Sequence, residues 1–246
     1  SSIKNFPKLV ADAVLEHHEN LDGTGYPRHR VASQLGELGK LLNLSDSINA
    51  IYRKHLKPRS RSLLDIVPII QMNLDSRFDR TANKAIVMLR QLQGSTTSEE
   101  LHDDMKSFVH HLDDFKHYID NFINTAQHYS KAIGYNHRDP HLLALQNNLI
   151  HISMTLIQSG VIEEASLKWL DHVQKQAVKQ AFGEVEQSFL MIREVFFHIE
   201  RFNLHLPWYI DCVKCEKART VLIEMREQIM RIRSKVDLGS FTRWPG

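Results

Sequence analysis

The chain has 246 residues, enough for one large domain or two modest ones with a real core. With 42% hydrophobic residues and a formal net charge of +2, it is typical of a soluble globular protein and gives no electrostatic case for binding nucleic acid or an anionic membrane. No apolar run reaches the roughly 18 residues of a membrane helix and no signal peptide opens the chain, so we expect a cytoplasmic protein without membrane insertion. The two cysteines, Cys212 and Cys215, are too few for a disulfide framework, and we expect two free thiols.

Helical periodicity dominates the sequence, and no stretch alternates convincingly between apolar and polar residues as a strand would. The first helix is predicted from Phe6-Pro7 to His17-His18, ending in a turn over 22–27. The next helix carries an apolar stripe and runs into a basic loop, "RKHLKPRSR". The stripe consists of Leu35, Leu38, Leu41, Leu42, Ile48 and Ile51. Two further helices are predicted around 63–74 and 81–92.

The segment "QGSTTSEE" is typical of a linker that ends in a helix start, so we predict a domain boundary between residues 93 and 94. Beyond it, apolar residues repeat every three or four positions from 101 to 133, which predicts one long helix. A shorter seam follows over 142–156, a third and long helix carries the same repeat over 182–199, and a fourth helix is predicted from Pro207 onward. The fold class is therefore all-α, with a bundle of roughly four helices over 94–246.

The stretch "LEHHENLDGTGYP", from Leu15 to Pro27, combines residues that are costly to stability unless they serve a purpose. Adjacent histidines on a helix point about 100° apart, which suits a position between two metal ions or between a metal and a phosphate. Asp46 on the next helix is the nearest plausible carboxylate ligand. Paired metals are suited to phosphodiester hydrolysis. The simpler alternative is a polar helix terminus followed by a tight turn.

The turn itself has features of a ligand-binding loop. Gly23 and Gly25 allow backbone conformations closed to other residues and permit the close approach of a ligand. Tyr26 offers a flat ring to a nucleobase.

"HHENLDGTGYP" resembles the signature H-H-E-x-x-D-G-x-G-Y-P of the HD-GYP family, bacterial phosphodiesterases that hydrolyse cyclic di-GMP. The likeness continues without an insertion through "LGELGKLLNLSDSINAIYR" and includes "SRFDRTANKAIVMLRQL". It covers roughly residues 1–93, the predicted partial HD-GYP-like domain, and does not extend to the bundle.

The resemblance implies that His17, His18 and Asp46 are metal ligands, for one or two divalent transition metals such as iron or manganese. It places Gly23, Gly25, Tyr26 and Pro27 beside the substrate, cyclic di-GMP. The resemblance thus implies a signal-transduction role in a bacterial cytoplasm.

The sequence also departs from the family pattern. Lys40, Asn49 and His55 stand where the family often has Arg, Asp and a phosphate-binding Arg. Arg53, Lys54 and Arg59 could substitute for the last, although not in the register of the family. The family's His-Asp pair, its following lysine and a further metal histidine lie N-terminal to the motif, and the start at Ser1 fits a fragment of a longer protein. The catalytic residues are therefore not identified. The alternative function is an inactive HD-GYP remnant that serves as an interaction or dimerisation module.

In the bundle, several histidines alternate with acids, but they fall opposite the apolar seam, so a solvated face is favoured over a buried metal site. The seams are rich in phenylalanine, and the predicted helices differ in length. Helices of unequal length would leave part of these seams uncovered, so we predict a homodimer through the long helices. The competing possibility is that the second helix and the C-terminal tail cover the seams within one chain.

Overall fold

The computed structural model describes residues 7–91, 103–135 and 138–236. The chain divides into two compact units, Ser1–Thr96 and Thr97–Gly246. The all-α prediction is confirmed, since these ranges contain ten α-helices and no β-strand. The predicted domain boundary at 93/94 lies outside the described residues and stays a prediction. No helix in the described ranges is long and apolar enough to cross a bilayer.

The first unit contains four α-helices close to the predicted positions. They are α1 (Lys8–Glu16), α2 (Glu37–Ile51), α3 (Val67–Met72) and α4 (Thr81–Arg90). Helix α1 packs against α2, and α3 packs against α4. The segment predicted as a basic loop is instead helical, with a π turn over Tyr52–Leu56 and a 3₁₀ turn over Lys57–Arg59. Its His55 and Leu56 are buried, and this burial holds the backbone in regular turns.

The predicted apolar stripe of α2 was wrong at three positions, because Leu38, Leu41 and Leu42 are exposed. The helix instead buries small and polar residues toward its neighbours. The buried set is Gly39, Asn43, Leu44, Ser47 and Ile51. The physical reason is that the facing surface is polar. It carries buried glutamates at the end of α1, and the Arg77 guanidinium donates to the Ser47 hydroxyl at 2.7 Å.

The second unit contains six α-helices. They are α5 (Asp103–His110), α6 (Leu112–Ile133), α7 (Pro140–Ser159), α8 (Glu164–Lys175), α9 (Phe182–Cys212) and α10 (Glu216–Arg233). The four longest form a bundle in which α6 lies beside α10, α10 beside α9, α9 beside α7, and α7 beside α6. Helices α5 and α8 pack against each other and against α9.

The structure corrects the predicted helix boundaries of the bundle. The long helix expected from 101 to 133 is interrupted at His111, and α8 was not predicted. The helix start predicted at Pro207 was wrong, because this proline lies inside α9. Leu206 and Ile210 on either side of it are buried, so packing holds the helix together despite the lost backbone hydrogen bond.

Aromatic side chains fill the centre of the bundle. Phe115 and Phe196 meet edge to face with ring centroids 5.4 Å apart, and Phe108 meets Phe189 in the same way at 5.3 Å. The phenylalanine seams are therefore covered within one chain. The predicted coverage of these seams by the C-terminal tail concerns Phe241 and Trp244, which lie outside the described residues. The predicted reason for a dimer, phenylalanines left uncovered on the long helices, was therefore wrong. The homodimer itself stays a prediction.

Candidate functional site

The two histidines of the motif follow the last turn of α1. The His17 Nδ1 atom lies 2.5 Å from the Val14 carbonyl oxygen. Because a carbonyl oxygen only accepts, Nδ1 carries the proton and donates it, which leaves the Nε2 lone pair of a neutral ring as the acceptor. A histidine held in this way has the tautomer and orientation typical of a metal ligand.

His18 lies between two other rings. Its centroid is 3.8 Å from that of His17 and 4.7 Å from that of Tyr26, against which it stacks at an interplanar angle of 29°. The Tyr26 backbone N–H donates to the His18 carbonyl oxygen at 3.1 Å and closes the loop between them. The result is a row of three rings that ends in Tyr26, which is 50% exposed.

The glutamate of the motif organises the loop. Glu19 is only 1% exposed, and its carboxylate accepts from the backbone N–H groups of Arg28 at 2.6 Å and Arg30 at 3.0 Å. The Glu19 carbonyl oxygen accepts from the Asn43 side-chain amide of α2 at 2.5 Å. A buried carboxylate is tolerable only with such donors, so Glu19 positions the loop against α2.

A second buried carboxylate, Glu16, joins the end of α1 to the start of α2. It accepts from the Arg30 guanidinium at 2.5 Å and from the Gly36 backbone N–H at 2.8 Å. A Cβ atom at Gly39 would collide with the Glu16 side chain. Glycine at position 39 therefore lets α1 and α2 approach closely around this carboxylate.

The turn of the motif is built from local polar contacts. The Asp22 carboxylate accepts from the Thr24 backbone N–H at 3.0 Å and from its hydroxyl at 2.6 Å. Gly23 has φ +78°, the left-handed conformation expected from the sequence. At Gly25 a Cβ would collide with the backbone of Glu19. The space left by the missing side chain of Gly25 is thus taken by the chain's own backbone.

The remaining predicted substrate residues lie at the loop and on the turn after α2. Pro27 follows the exposed Tyr26, and the peptide bond between them is cis. Arg53 and Lys54 are exposed on the π turn, whereas His55 beside them is 3% exposed and sits inside the fold. The roles of Gly23, Gly25, Tyr26, Pro27, Arg53 and Lys54 in substrate binding stay predictions.

The third predicted ligand, Asp46, is exposed on α2, one turn beyond Asn43. In the parts of the chain that the structure describes, no group of three or more His, Cys, Asp or Glu residues could hold a metal ion. His17, His18 and Asp46 therefore do not form a metal site from these residues alone. Their assignment as ligands stays a prediction.

Sequence reasoning gave no role to the polar residues that hold the site in place. The signal for Glu19 was its fixed place in the motif, and the signal for Asn43 was a polar residue between leucines on α2. Glu16 and Arg30 carry no such signal, because their pairing joins segments that are distant in sequence.

A buried polar cluster in the bundle was also overlooked. The rings of His151 on α7 and His198 on α9 lie 4.6 Å apart, and His198 Nε2 is 3.3 Å from a Glu194 carboxylate oxygen. All three residues are less than 9% exposed. The two cysteines are free thiols and flank the turn between α9 and α10, whereas the helix predicted from Pro207 onward would have contained both.

Comparison with known proteins agrees with this geometry in the first unit. Residues 1–82, a third of the chain, match the family model described as HD domain. This match supports an HD-type domain in this part of the chain. HD domains are commonly metal-dependent phosphohydrolases that bind divalent metals, and the match does not single out the HD-GYP subfamily. No curated protein and no solved structure matches the chain significantly.

Proposed function

We propose that the chain is part of a bacterial cytoplasmic signalling protein of HD-GYP type that recognises cyclic di-GMP at the loop after α1. The observation that carries this proposal is the row of rings formed by His17, His18 and Tyr26 beside a loop fixed by buried Glu19. The exposed Tyr26 ring would stack on a guanine base, because stacking is the general way proteins hold unpaired bases.

Hydrolysis requires more than the described residues. Iron or manganese would polarise the phosphodiester, and the ligands that complete such a site would come from the segment that the resemblance places before the motif. Exposed apolar residues of α1 and α2, including Leu9 (64% exposed) and Leu41 (51% exposed), form the surface on which that segment would pack. The contribution of this chain's own residues is to hold the His17 and His18 rings and the stacking face.

The test is metal analysis of the longest native form of the protein, together with cyclic di-GMP binding and turnover in manganese or iron. We expect Tyr26→Ala to weaken binding by roughly 5- to 150-fold, the loss of one stacked base at about 1–3 kcal/mol. Tyr135→Ala is the matched control, because Tyr135 is a comparably exposed tyrosine in the second unit. Equal binding by the wild type and Tyr26→Ala would refute the proposed site.

The second candidate function is a catalytically inactive HD-type remnant that packs against a partner protein. It is favoured by the lack of a three-residue metal group in the described ranges and by the uncovered apolar residues of α1 and α2. Absence of bound metal and of turnover in the longest native form would select this candidate over the enzyme.

A further inference from the structure

Helix α7 presents an unusual outer face in the second unit. Beyond Pro140 at its start, the exposed positions of this twenty-residue helix are Leu143, Asn147, Ile150, Met154, Ile157 and Gln158. The opposite face is buried against the bundle through Leu142, Leu145, Leu149, Ile152 and Leu156. Large apolar side chains therefore occupy both faces of α7, although among the described residues only the inner face packs against other helices.

The exposed residues have the spacing of a helix-pairing seam. Leu143, Asn147, Ile150, Met154 and Ile157, here called the outer stripe, follow one another at intervals of four, three, four and three. This is the alternation of a and d positions in a heptad repeat, with Asn147 and Met154 at a positions. Such a repeat keeps one line of side chains facing a second helix along the whole length of α7.

The outer stripe has no charge to oppose a second copy of itself. Helix α7 contains no Asp, Glu, Lys or Arg between Pro140 and Ser159. By contrast, α8 and α10 expose many charged side chains, among them Lys168, Glu224 and Arg226. Two copies of α7 can therefore approach without like-charge repulsion, whereas an oppositely charged partner would find nothing on this face to pair with.

A depression beside the outer stripe supplies room for a partner's side chains. A groove of about 200 Å³ between α6 and α7 is lined by Ala126, Tyr135, Leu149, Ile150 and Met154, among others. Paired helices insert side chains of one helix into holes on the other. The groove offers such a hole next to the middle of the stripe.

We propose that α7 pairs with α7 of a second copy of this chain, in parallel and about a two-fold axis. In a parallel pair, each Asn147 lies opposite its counterpart, and the two side-chain amides hydrogen-bond to each other. An antiparallel pair sets a positions against d positions, so Asn147 would lie against an apolar residue with its amide unsatisfied. The single asparagine thus selects both the register and the direction of the pair.

The first test is the molar mass of the full chain by light scattering at micromolar concentration. We expect a mass near twice 28.6 kDa for the wild type and near 28.6 kDa for Ile150→Glu. Leu204→Glu is the matched control, because Leu204 is an equally apolar residue, 76% exposed, on α9, and this variant should stay dimeric. A monomeric wild type, or equal dissociation by both variants, would overturn the proposal.

Circular dichroism in the helical region checks that Ile150→Glu folds. If it does not, Ile157→Glu is the second variant, because Ile157 is 71% exposed at the end of the stripe.

A further outcome concerns coverage of the stripe by the C-terminal tail. If removal of residues 237–246 converts a monomer into a dimer, the tail covers the stripe and the proposal is wrong.

The direction of the pair is tested by oxidative cross-linking in a Cys212→Ser, Cys215→Ser background. Leu143→Cys or Ile157→Cys should form an intermolecular disulfide, because each position faces its own counterpart in a parallel pair. Thr220→Cys on the exposed side of α10 is the control that should not cross-link. Cross-linking at neither stripe position would exclude the parallel arrangement.

Discussion

At the scale of single residues, the motif that resembles a catalytic signature also serves the architecture of the HD-type domain. Glu16 and Glu19 are buried carboxylates, and burying a charge is unfavourable unless it is paired and hydrogen-bonded. Each carboxylate accepts from two donors: Glu16 from a guanidinium and one backbone amide, and Glu19 from two backbone amides. The same residues that fix the loop therefore fix the orientation of the histidine and tyrosine rings.

We expect Glu19→Ala to destabilise the first unit and release the loop over 20–36. It leaves the Arg28 and Arg30 amides without their acceptor, and hydrogen bonds to a charged group contribute about 1.5–3 kcal/mol each to stability. Trypsin cleavage after Arg28 and Arg30 should accelerate. Glu37→Ala removes an exposed carboxylate that pairs with Lys40 on its own helix, and cleavage in that control should be unchanged. Unchanged cleavage in Glu19→Ala would contradict this role.

Gly25→Ala should destabilise the loop by steric overlap. The added methyl group meets the Glu19 and Asn20 backbone, which cannot move aside as a side chain could, and such overpacking costs about 1–3 kcal/mol. Gly160→Ala is the comparison, since its position has φ +60° but open space around it. Urea unfolding of the two variants compares crowding at Gly25 with backbone strain at Gly160, and a Gly25→Ala variant as stable as the wild type would show that crowding at Gly25 is unimportant.

At the scale of elements, the start of α7 is fixed by one carboxylate. Asp139 accepts from the His141 backbone N–H at 2.9 Å as an N-cap and from the Lys214 N–H at 3.4 Å in the turn between α9 and α10. Burial by itself would raise the pKa of Asp139, but the backbone amides of His141, Lys214 and Leu142 outweigh it and hold the pKa below its ordinary value. This residue therefore joins the ends of three helices.

Asp139→Ala should lower the free energy of unfolding of the bundle by about 0.5–2 kcal/mol at neutral pH. Because the folded pKa is depressed, the ionised carboxylate stabilises the fold above its unfolded pKa of about 3.9, and this contribution disappears as the pH falls through the lower folded pKa. The difference in free energy of unfolding between wild type and Asp139→Ala, measured with urea, should become smaller over that acidic range.

The control is Asp139→Asn, which keeps a capping side chain that does not titrate. The difference in free energy of unfolding between Asp139→Asn and Asp139→Ala should stay constant with pH. If the difference in free energy of unfolding between wild type and Asp139→Ala is also constant with pH, ionisation of Asp139 contributes nothing to stability.

At the scale of the whole molecule, the two units have separate cores. The aromatic centre of the bundle lies entirely within Thr97–Gly246. It comprises Phe108, Phe115, Phe122, Phe189, Phe196 and Phe202. The three tryptophans, Trp169, Trp208 and Trp244, also belong to this unit. Tryptophan fluorescence therefore reports on the bundle and not on the HD-type domain.

Residues 97–246 expressed alone should fold and unfold cooperatively. The fragment retains every buried phenylalanine of the bundle, and each buried side chain of this kind contributes roughly 1.5–3 kcal/mol. Its fluorescence-detected urea midpoint should match that of the full chain. Phe196→Ala should reduce stability by about 3–5 kcal/mol in both contexts. A fragment without a cooperative transition would show that the bundle depends on the first unit.

The sequence by itself determined the helical class and the HD-type character of the first unit. Both rest on local patterns: the spacing of apolar residues along a helix, and a fixed order of residues around one turn. It also placed most helices of the first unit and the seams of the bundle within a few residues, because helix periodicity is a property of neighbouring positions. Gly23 in the left-handed conformation follows from the same local reasoning.

Only the tertiary structure decided which apolar and polar residues are buried. Leu38, Leu41 and Leu42 continue a helical stripe in sequence but are exposed, while Asn43 in the same stretch is buried. Pro207 continues a helix that local rules would end there, and the outer stripe of α7 shows as exposed only once its other face is packed. Burial is a relation between segments far apart in the chain, so no local pattern contains it.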